Sequence, residues 1–218
     1  MKKAILFGAS GFVGGYLLHD LLHSNNYEEV RVVVRKPLEI QHSKLKTIIA
    51  DYETLPQHQN ELTADDVFIA LGTTKKKTPD EKIYYQIDHD YPVLAAQLTK
   101  AKGAKSVFLV SAVGANINSS IFYVRTKGEA ERDIISVDFE HTHIFQPSMI
   151  MGSRAESRPM EKVFIGIFSV INLLLVGKLN KYKGISAQNI AKAMFAAAQR
   201  PAEKVTFYHW KEMQQLLH

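Results

Sequence analysis

The stretch Ala4-Ile5-Leu6-Phe7-Gly8-Ala9-Ser10-Gly11-Phe12-Val13-Gly14 decides how this chain is read. An apolar run of strand length meets a three-glycine turn, and the turn leads into an amphipathic helical pattern over Phe12–His23. Gly8 permits a tight turn, Gly11 lets the backbone approach a pyrophosphate, and Gly14 lets the helix lie close on the sheet. The helix start then offers N–H groups and a positive dipole end to the phosphates. Such a glycine spacing is weak alone and can mark a purely structural turn. After a clean strand and before a helix it points to a dinucleotide. Ser10, Phe12 and Val13 sit between or beside these glycines and are assigned to the same cofactor contact.

Outward from this unit, short β-branched runs alternate with helical patterns. Strands are expected at Ala4–Gly8, Val30–Arg35, Thr47–Ala50, Val67–Leu71, Ser106–Ser111 and His143–Gln146, with helices near Phe12–His23, Tyr84–Lys102 and Ser119–Ile135. Apolar strands without a polar face, joined by helices, predict a parallel sheet covered on both sides. The last third turns helical at Met160–Val176 and Ser186–Arg200, followed by a short strand Val205–Tyr208 and a closing helix. The fold class expected is α/β, a doubly wound parallel sheet of Rossmann type with a small, mostly helical C-terminal elaboration. Residues 1–218 are read as one domain.

Composition bounds the chemistry. The 218 residues are 46% hydrophobic and 22% charged, as in an ordinary globular protein, and contain no cysteine. That excludes disulfides, thiolate metal sites and cysteine nucleophiles, and fits a reducing, cytoplasmic setting. The apolar run after Lys2-Lys3 is too short for an export signal. A net charge of +5 invites a nucleic-acid reading, but the basic residues are scattered apart from Lys75-Lys76-Lys77. No nucleic-acid partner is expected, because a basic surface serves a phosphorylated small molecule equally well. The apolar stretch Val163–Gly177 is shorter than the roughly 20 residues of a membrane span and holds Ser169 and Asn172. It is read as a buried helix or a flap over an apolar pocket, with a peripheral membrane contact left open.

Two further positions carry chemistry. Where an NAD-selective fold ends its second strand in an acid, this chain has Arg35 and Lys36, which can pair a 2′-phosphate and favour NADPH over NADH. A solvated arginine at a strand end is the alternative. Tyr123 and Lys127, four apart on one helix face, bring an ammonium beside a phenol, expected to lower its pKa towards working pH. Ser111, at the carboxyl end of the fifth strand, lies where ligands meet an open parallel sheet. No metal site is expected. His19 and His23 have a zinc-compatible spacing but lack a third ligand and sit opposite the Leu17/Leu21 core face. His141 and His143 are given no role.

With the glycine loop, Ser111 and Tyr123-Val-Arg-Thr-Lys127 in this order, the chain resembles the short-chain dehydrogenase/reductase superfamily. Leu71-Gly72-Thr73-Thr74-Lys75, Ser111-Ala-Val-Gly-Ala115, Tyr123-Val-Arg-Thr-Lys127-Gly-Glu129, Gln146-Pro147-Ser148 and Arg154-Ala-Glu-Ser-Arg158-Pro159 look like its atypical, Tat-interactive-protein-like members. The likeness implies a sheet of order 3-2-1-4-5-6-7 and bound NADP. It assigns carbonyl orientation to Ser111, general acid/base work to Tyr123, and the nicotinamide ribose and tuning of Tyr123 to Lys127. It assigns the adenine to Asp51, the adenosine ribose to Leu71, Gly72 and Thr73, and the nicotinamide flank to Pro147 and Ser148. One departure stands out: many relatives have an Asn on the fourth helix that supports a proton relay, and the nearby residue here is Asp88. The large C-terminal substrate domain of extended members is not found, which argues against sugar-nucleotide substrates. The expected function is an NADPH-dependent oxidoreductase reducing a carbonyl or activated double bond of a small apolar or amphipathic molecule, as a monomer or homodimer. The alternative is a non-catalytic NADPH-binding regulator or assembly factor.

Overall fold

The computed structural model describes residues 1–152, 175–200 and 203–218. Its centre is a seven-stranded sheet built from β1 (Lys2–Phe7), β2 (Tyr27–Val34), β3 (Leu45–Ile49), β4 (Asp66–Ile69), β5 (Ser106–Val110), β6 (His141–Phe145) and, last in the chain, β9 (Val205–Tyr208). The spatial order is β3-β2-β1-β4-β5-β6-β9, and every neighbouring pair is parallel. This is the doubly wound Rossmann-type sheet expected from the sequence. The central strands explain why: β4 and β5 are buried along their whole length, so both faces must be covered by helices. The edge strand β3 buries only Ile48.

Two apolar cores lie on the two sheet faces. On one, α1 (Phe12–His23) and α5 (Ala187–Ala197) pack Leu17, Leu18, Leu21, Ile190 and Met194 against Leu6, Val32 and Phe68. On the other, Ala95 and Ala96 of α3 (Tyr91–Ala101) and Ile134 of α4 (Phe122–Ser136) cover Ile5, Val67, Ile69 and Leu109. The chain leaves β1 for the α1 face and leaves β4 and β5 for the α3 and α4 face, returning to the α1 face with α5. The carboxyl ends of β1 and β4 therefore diverge and open a crevice, the position at which ligands meet open parallel sheets.

The helix expected over Tyr84–Lys102 is divided. A short α2 (Glu81–Tyr85), capped by Asp80, passes through one π turn at Gln86–Asp90 before α3 begins with Pro92 in its first turn. The extra residue accommodated by the π turn leaves the apolar spacing on either side nearly undisturbed, so periodicity cannot reveal it. Helix α4 begins at Phe122, three residues later than the expected Ser119, because Asn116 and Ser119 form turns with their side chains first. The C-terminal elaboration contains a two-stranded parallel ladder of β7 (Ile150–Met151) and β8 (Ile185–Ser186), then α5, and after β9 a closing α6 (Trp210–Gln215). The apolar stretch Val163–Gly177 lies almost wholly outside the described residues. No helix among those described is long and apolar enough to cross a membrane.

Candidate active site

The turn between β1 and α1 is set by sterics. Gly8 has φ +92°, and a Cβ there would stand 2.6 Å from the Ala70 carbonyl oxygen. A Cβ on Gly14 would stand 2.0 Å from the Gly8 carbonyl oxygen. Only glycine lets α1 settle this close to the end of β1, and the Gly11 N–H closes the turn on the Gly8 carbonyl at 2.9 Å. Helix α1 opens with no side-chain cap at Gly11, aiming its positive end into the crevice.

The crevice has a volume of about 850 Å³. One end is walled by Ser10, Gly11, Phe12 and Val13, its middle by Leu71, Gly72 and Thr73, and its far end by Ser111, Tyr123 and Lys127, with Pro147 and Ser148 beside them. Fourteen of the expected cofactor or catalytic positions thus meet at one site, counting Gly8 and Gly14 as the turn that shapes it. Arg35, Lys36 and Asp51 do not line this volume. Arg35 and Lys36 are exposed just beyond β2. Asp51, just beyond β3, is exposed and spends its carboxylate on the Thr54 N–H and hydroxyl at 2.9 and 2.7 Å. Both Arg35 and Asp51 act on the phenol of Tyr91, which stacks on Tyr52 with ring centres 4.1 Å apart. An arginine, an aspartate and an aromatic pair therefore lie together beyond β2 and β3.

At the far end the side chains are tied together. Lys127, buried on α4, pairs with buried Asp88 at 2.6 Å. The other Asp88 oxygen accepts the Thr73 N–H at 2.9 Å. Asp88 reaches both because it lies in the π turn, a distortion common where a side chain must be re-aimed into a site. Gly72 packs over the pair: a Cβ there would touch Asp88 Oδ1 at 3.5 Å. Ser111 donates its hydroxyl hydrogen to Glu131, whose oxygens also accept from Gln146 Nε2 at 2.8 and 3.0 Å. Tyr123, Lys127 and Glu131 follow at four-residue spacing along one face of α4.

The expected lowering of the Tyr123 pKa is corrected. Burial of the phenol raises it, the Lys127 charge works against that, and Asp88 raises it again. The physical reason is the ion pair: an ammonium matched by a carboxylate 2.6 Å away has little field left for a neighbouring phenol. Burial likewise holds the Glu131 carboxyl above its ordinary range, opposed by the hydrogen bonds of Ser111 and Gln146 and by Lys127.

Sequence reading passed over Glu131 altogether, although its place two turns after Tyr123 was visible. His143, given no role from the sequence, is buried in β6, stacked on Phe108 at 4.3 Å, with Nδ1 2.9 Å from the Tyr208 hydroxyl. His19 and His23 lie exposed on α1 with stacked rings, and the His23 ring bonds the His19 carbonyl at 2.8 Å. Among the described residues no group of three or more metal-ligating side chains converges.

The sheet, its diverging strands and the glycine cradle define a Rossmann-type dinucleotide-binding protein. A family profile described as NAD(P)H-binding matches residues 8–201. Protein HTATIP2 of Rattus norvegicus is 32% identical over 164 residues, 73% of this chain and 67% of its own length. Protein fmp52, mitochondrial, of Aspergillus niger is 33% identical over 187 residues, 83% of this chain and 78% of its own. Of solved structures, MoeE5 in complex with UDP-glucuronic acid and NAD superposes with a TM-score of 0.69 at 17% identity, covering 94% of this chain and 75% of that one. The Helicobacter pylori ADP-L-glycero-D-manno-heptose-6-epimerase gives 0.69 at 13% identity, over 99% and 80%. These two likenesses speak for the fold alone. The chain belongs to the NAD(P)H-binding family, in the atypical short-chain dehydrogenase/reductase branch of Tat-interactive-protein-like members.

Proposed function

We propose that this protein, read as one unit over residues 1–218, is an NADPH-dependent oxidoreductase that reduces a carbonyl or activated double bond of a small apolar or amphipathic molecule. The observation that carries the proposal is the meeting of Ser111, Tyr123 and Lys127 at one end of the crevice whose other end is the glycine cradle. The cradle fits a pyrophosphate, since a Cβ at Gly14 would close it. Gly8, Ser10, Gly11, Phe12, Val13 and Gly14 would hold the phosphates, and Leu71, Gly72 and Thr73 the adenosine ribose. Asp51 would reach the adenine, Arg35 and Lys36 a 2′-phosphate, and Pro147 and Ser148 would flank the nicotinamide. Once bound, NADPH would supply the hydride.

The residues of the chain manage the oxygen. Tyr123 stands in the crevice with its phenol proton as the one to be given to a developing alkoxide. Lys127, one helical turn on, would bond the nicotinamide ribose and stabilise the phenolate that Tyr123 leaves behind. Ser111 would steady the same oxygen. NADPH consumption across a panel of carbonyl compounds tests this, with Tyr123→Phe expected to cost at least ~10²-fold in rate while leaving NADPH binding nearly intact. A Tyr123→Phe protein with unchanged turnover would remove Tyr123 from the mechanism.

A second reading, a non-catalytic NADPH-binding regulator, is favoured by two observations: Lys127 is paired with Asp88, and Ser111 is bonded to Glu131. No turnover across a broad panel, with NADPH binding intact, would select it. A cytoplasmic location is our reading from the cysteine-free sequence. The fungal relatives carry the word mitochondrial in their names, which supports that organelle as the alternative. Nucleic acid is not among the proposed partners, and monomer or homodimer is the proposed state.

A further inference from the structure

A serine hydroxyl has one hydrogen to give, and in this site it is already given. Ser111 directly follows β5 at the wall of the crevice, with its backbone N–H bonded to the Phe145 carbonyl at 2.7 Å. Its hydroxyl donates to Glu131 Oε1, the oxygen that also accepts from Gln146 Nε2. In that arrangement Ser111 offers the crevice lone pairs only. A substrate carbonyl oxygen, which needs a donor, finds none there.

We propose that Glu131 is a positioning residue that decides whether Ser111 can donate to a substrate oxygen. As a carboxylate it draws the Ser111 hydrogen inward. As a carboxylic acid it donates its own proton to Ser111 Oγ and releases the Ser111 hydrogen towards the crevice. Gln146 keeps its bond to the other carboxylate oxygen in both states, so the switch needs one proton and one hydroxyl rotation, with no movement of the backbone. This rests on the oxidoreductase reading for its consequence, though not for its geometry.

The surroundings suit such a switch. Glu131 is buried, and the segments directly after β5 and β6 meet it with the neutral donors Ser111 and Gln146. The charge that acts on it is Lys127 on its own helix, itself matched by Asp88 from the π turn. His89 from that same turn is engaged by Asp90 and by Asp133 of α4, at 2.7 and 2.8 Å. Burial holds the carboxyl above its usual range, bringing proton exchange nearer to neutral pH.

The test is an infrared pH titration of the carboxyl band that Glu131→Gln removes, in the parent and in Ser111→Ala. We expect a midpoint above the ordinary carboxylate range, raised further in Ser111→Ala because a bond that favours the charged form is lost. On any substrate that is turned over, kcat of the parent should fall about tenfold per pH unit above that midpoint. Glu131→Gln, whose amide can donate to Ser111 Oγ, should stay flat within about twofold over the same range. A Glu131 ionised throughout, a midpoint unmoved by Ser111→Ala, or a pH–rate profile identical in Glu131→Gln would each overturn the proposal. NADPH titration at fixed pH is run alongside. Failure to bind would refute the oxidoreductase reading and leave the infrared result to decide the Glu131–Ser111 coupling on its own.

Discussion

Replacing Asp88 by Asn removes one charge from a buried pair and leaves the shape of the site almost unchanged. Asp88 and Lys127 approach to 2.6 Å, and their side chains are 1% and 8% exposed. At the effective dielectric near 20 that suits protein sites, two unit charges at that distance attract with about 6 kcal/mol. Desolvation of both ions cancels much of this, and breaking a buried pair from one side costs about 3–5 kcal/mol in measured cases. The Asn oxygen can still accept from Lys127, so the lower end applies: Asp88→Asn should destabilise the fold by about 3 kcal/mol. Urea unfolding followed by circular dichroism measures this as a fall in midpoint at constant slope. A second effect has the opposite sign for chemistry. With Asp88 neutral, the Lys127 field reaches Tyr123 unopposed and its phenol should titrate at lower pH, visible in the absorbance difference against Tyr123→Phe. A stability loss under about 1 kcal/mol, with a Tyr123 titration no lower than in the parent, would refute the view that Asp88 neutralises Lys127.

Three further outcomes follow from other parts of the fold. Burial lowers the pKa of His143 to about 4, against 6.5 in the unfolded chain, so the unfolded state binds the extra proton first on acidification. Stability should fall by about 2 kcal/mol between about pH 7 and pH 5, and His143→Gln should flatten that slope in urea titrations. Gly14→Ala forces a methyl against the Gly8 carbonyl and should cost at least about 2 kcal/mol, a fall of about 4–8 °C in Tm for a chain of this size. Lys127→Ala should weaken both the reduction rate and NADPH affinity; loss of rate alone would deny it contact with the ribose.

The sheet was legible because β1, β4 and β5 are apolar on both faces and the glycine turn follows the first of them at once. Apolar pattern and turn chemistry are local, and both survive into the fold unchanged. The meeting of the glycine turn with Ser111, Tyr123 and Lys127 was legible for a related reason, since the carboxyl ends of parallel strands share one edge. What failed was electrostatic. The pairing of Lys127 with Asp88 depends on a π turn that adds one residue to a helix without altering its apolar face. The Tyr123–Lys127 spacing shows that the ammonium acts on the phenol but not the charge balance, because a third group 39 residues away in sequence sets the balance. Glu131 escapes a local reading for the same reason: its partners, Ser111 and Gln146, directly follow two different strands. The Arg35 and Asp51 side chains lie outside the crevice, so spacing alone does not decide what they touch.

Cofactor selection is tested most directly by calorimetric titration of NADPH and NADH into the parent protein and into Arg35→Ala. NADPH should bind the parent at least ~10-fold tighter than NADH, about 1.4 kcal/mol, and the difference should shrink in Arg35→Ala. Equal affinities in the parent would contradict the NADP assignment, and binding of neither cofactor would contradict the dinucleotide crevice itself.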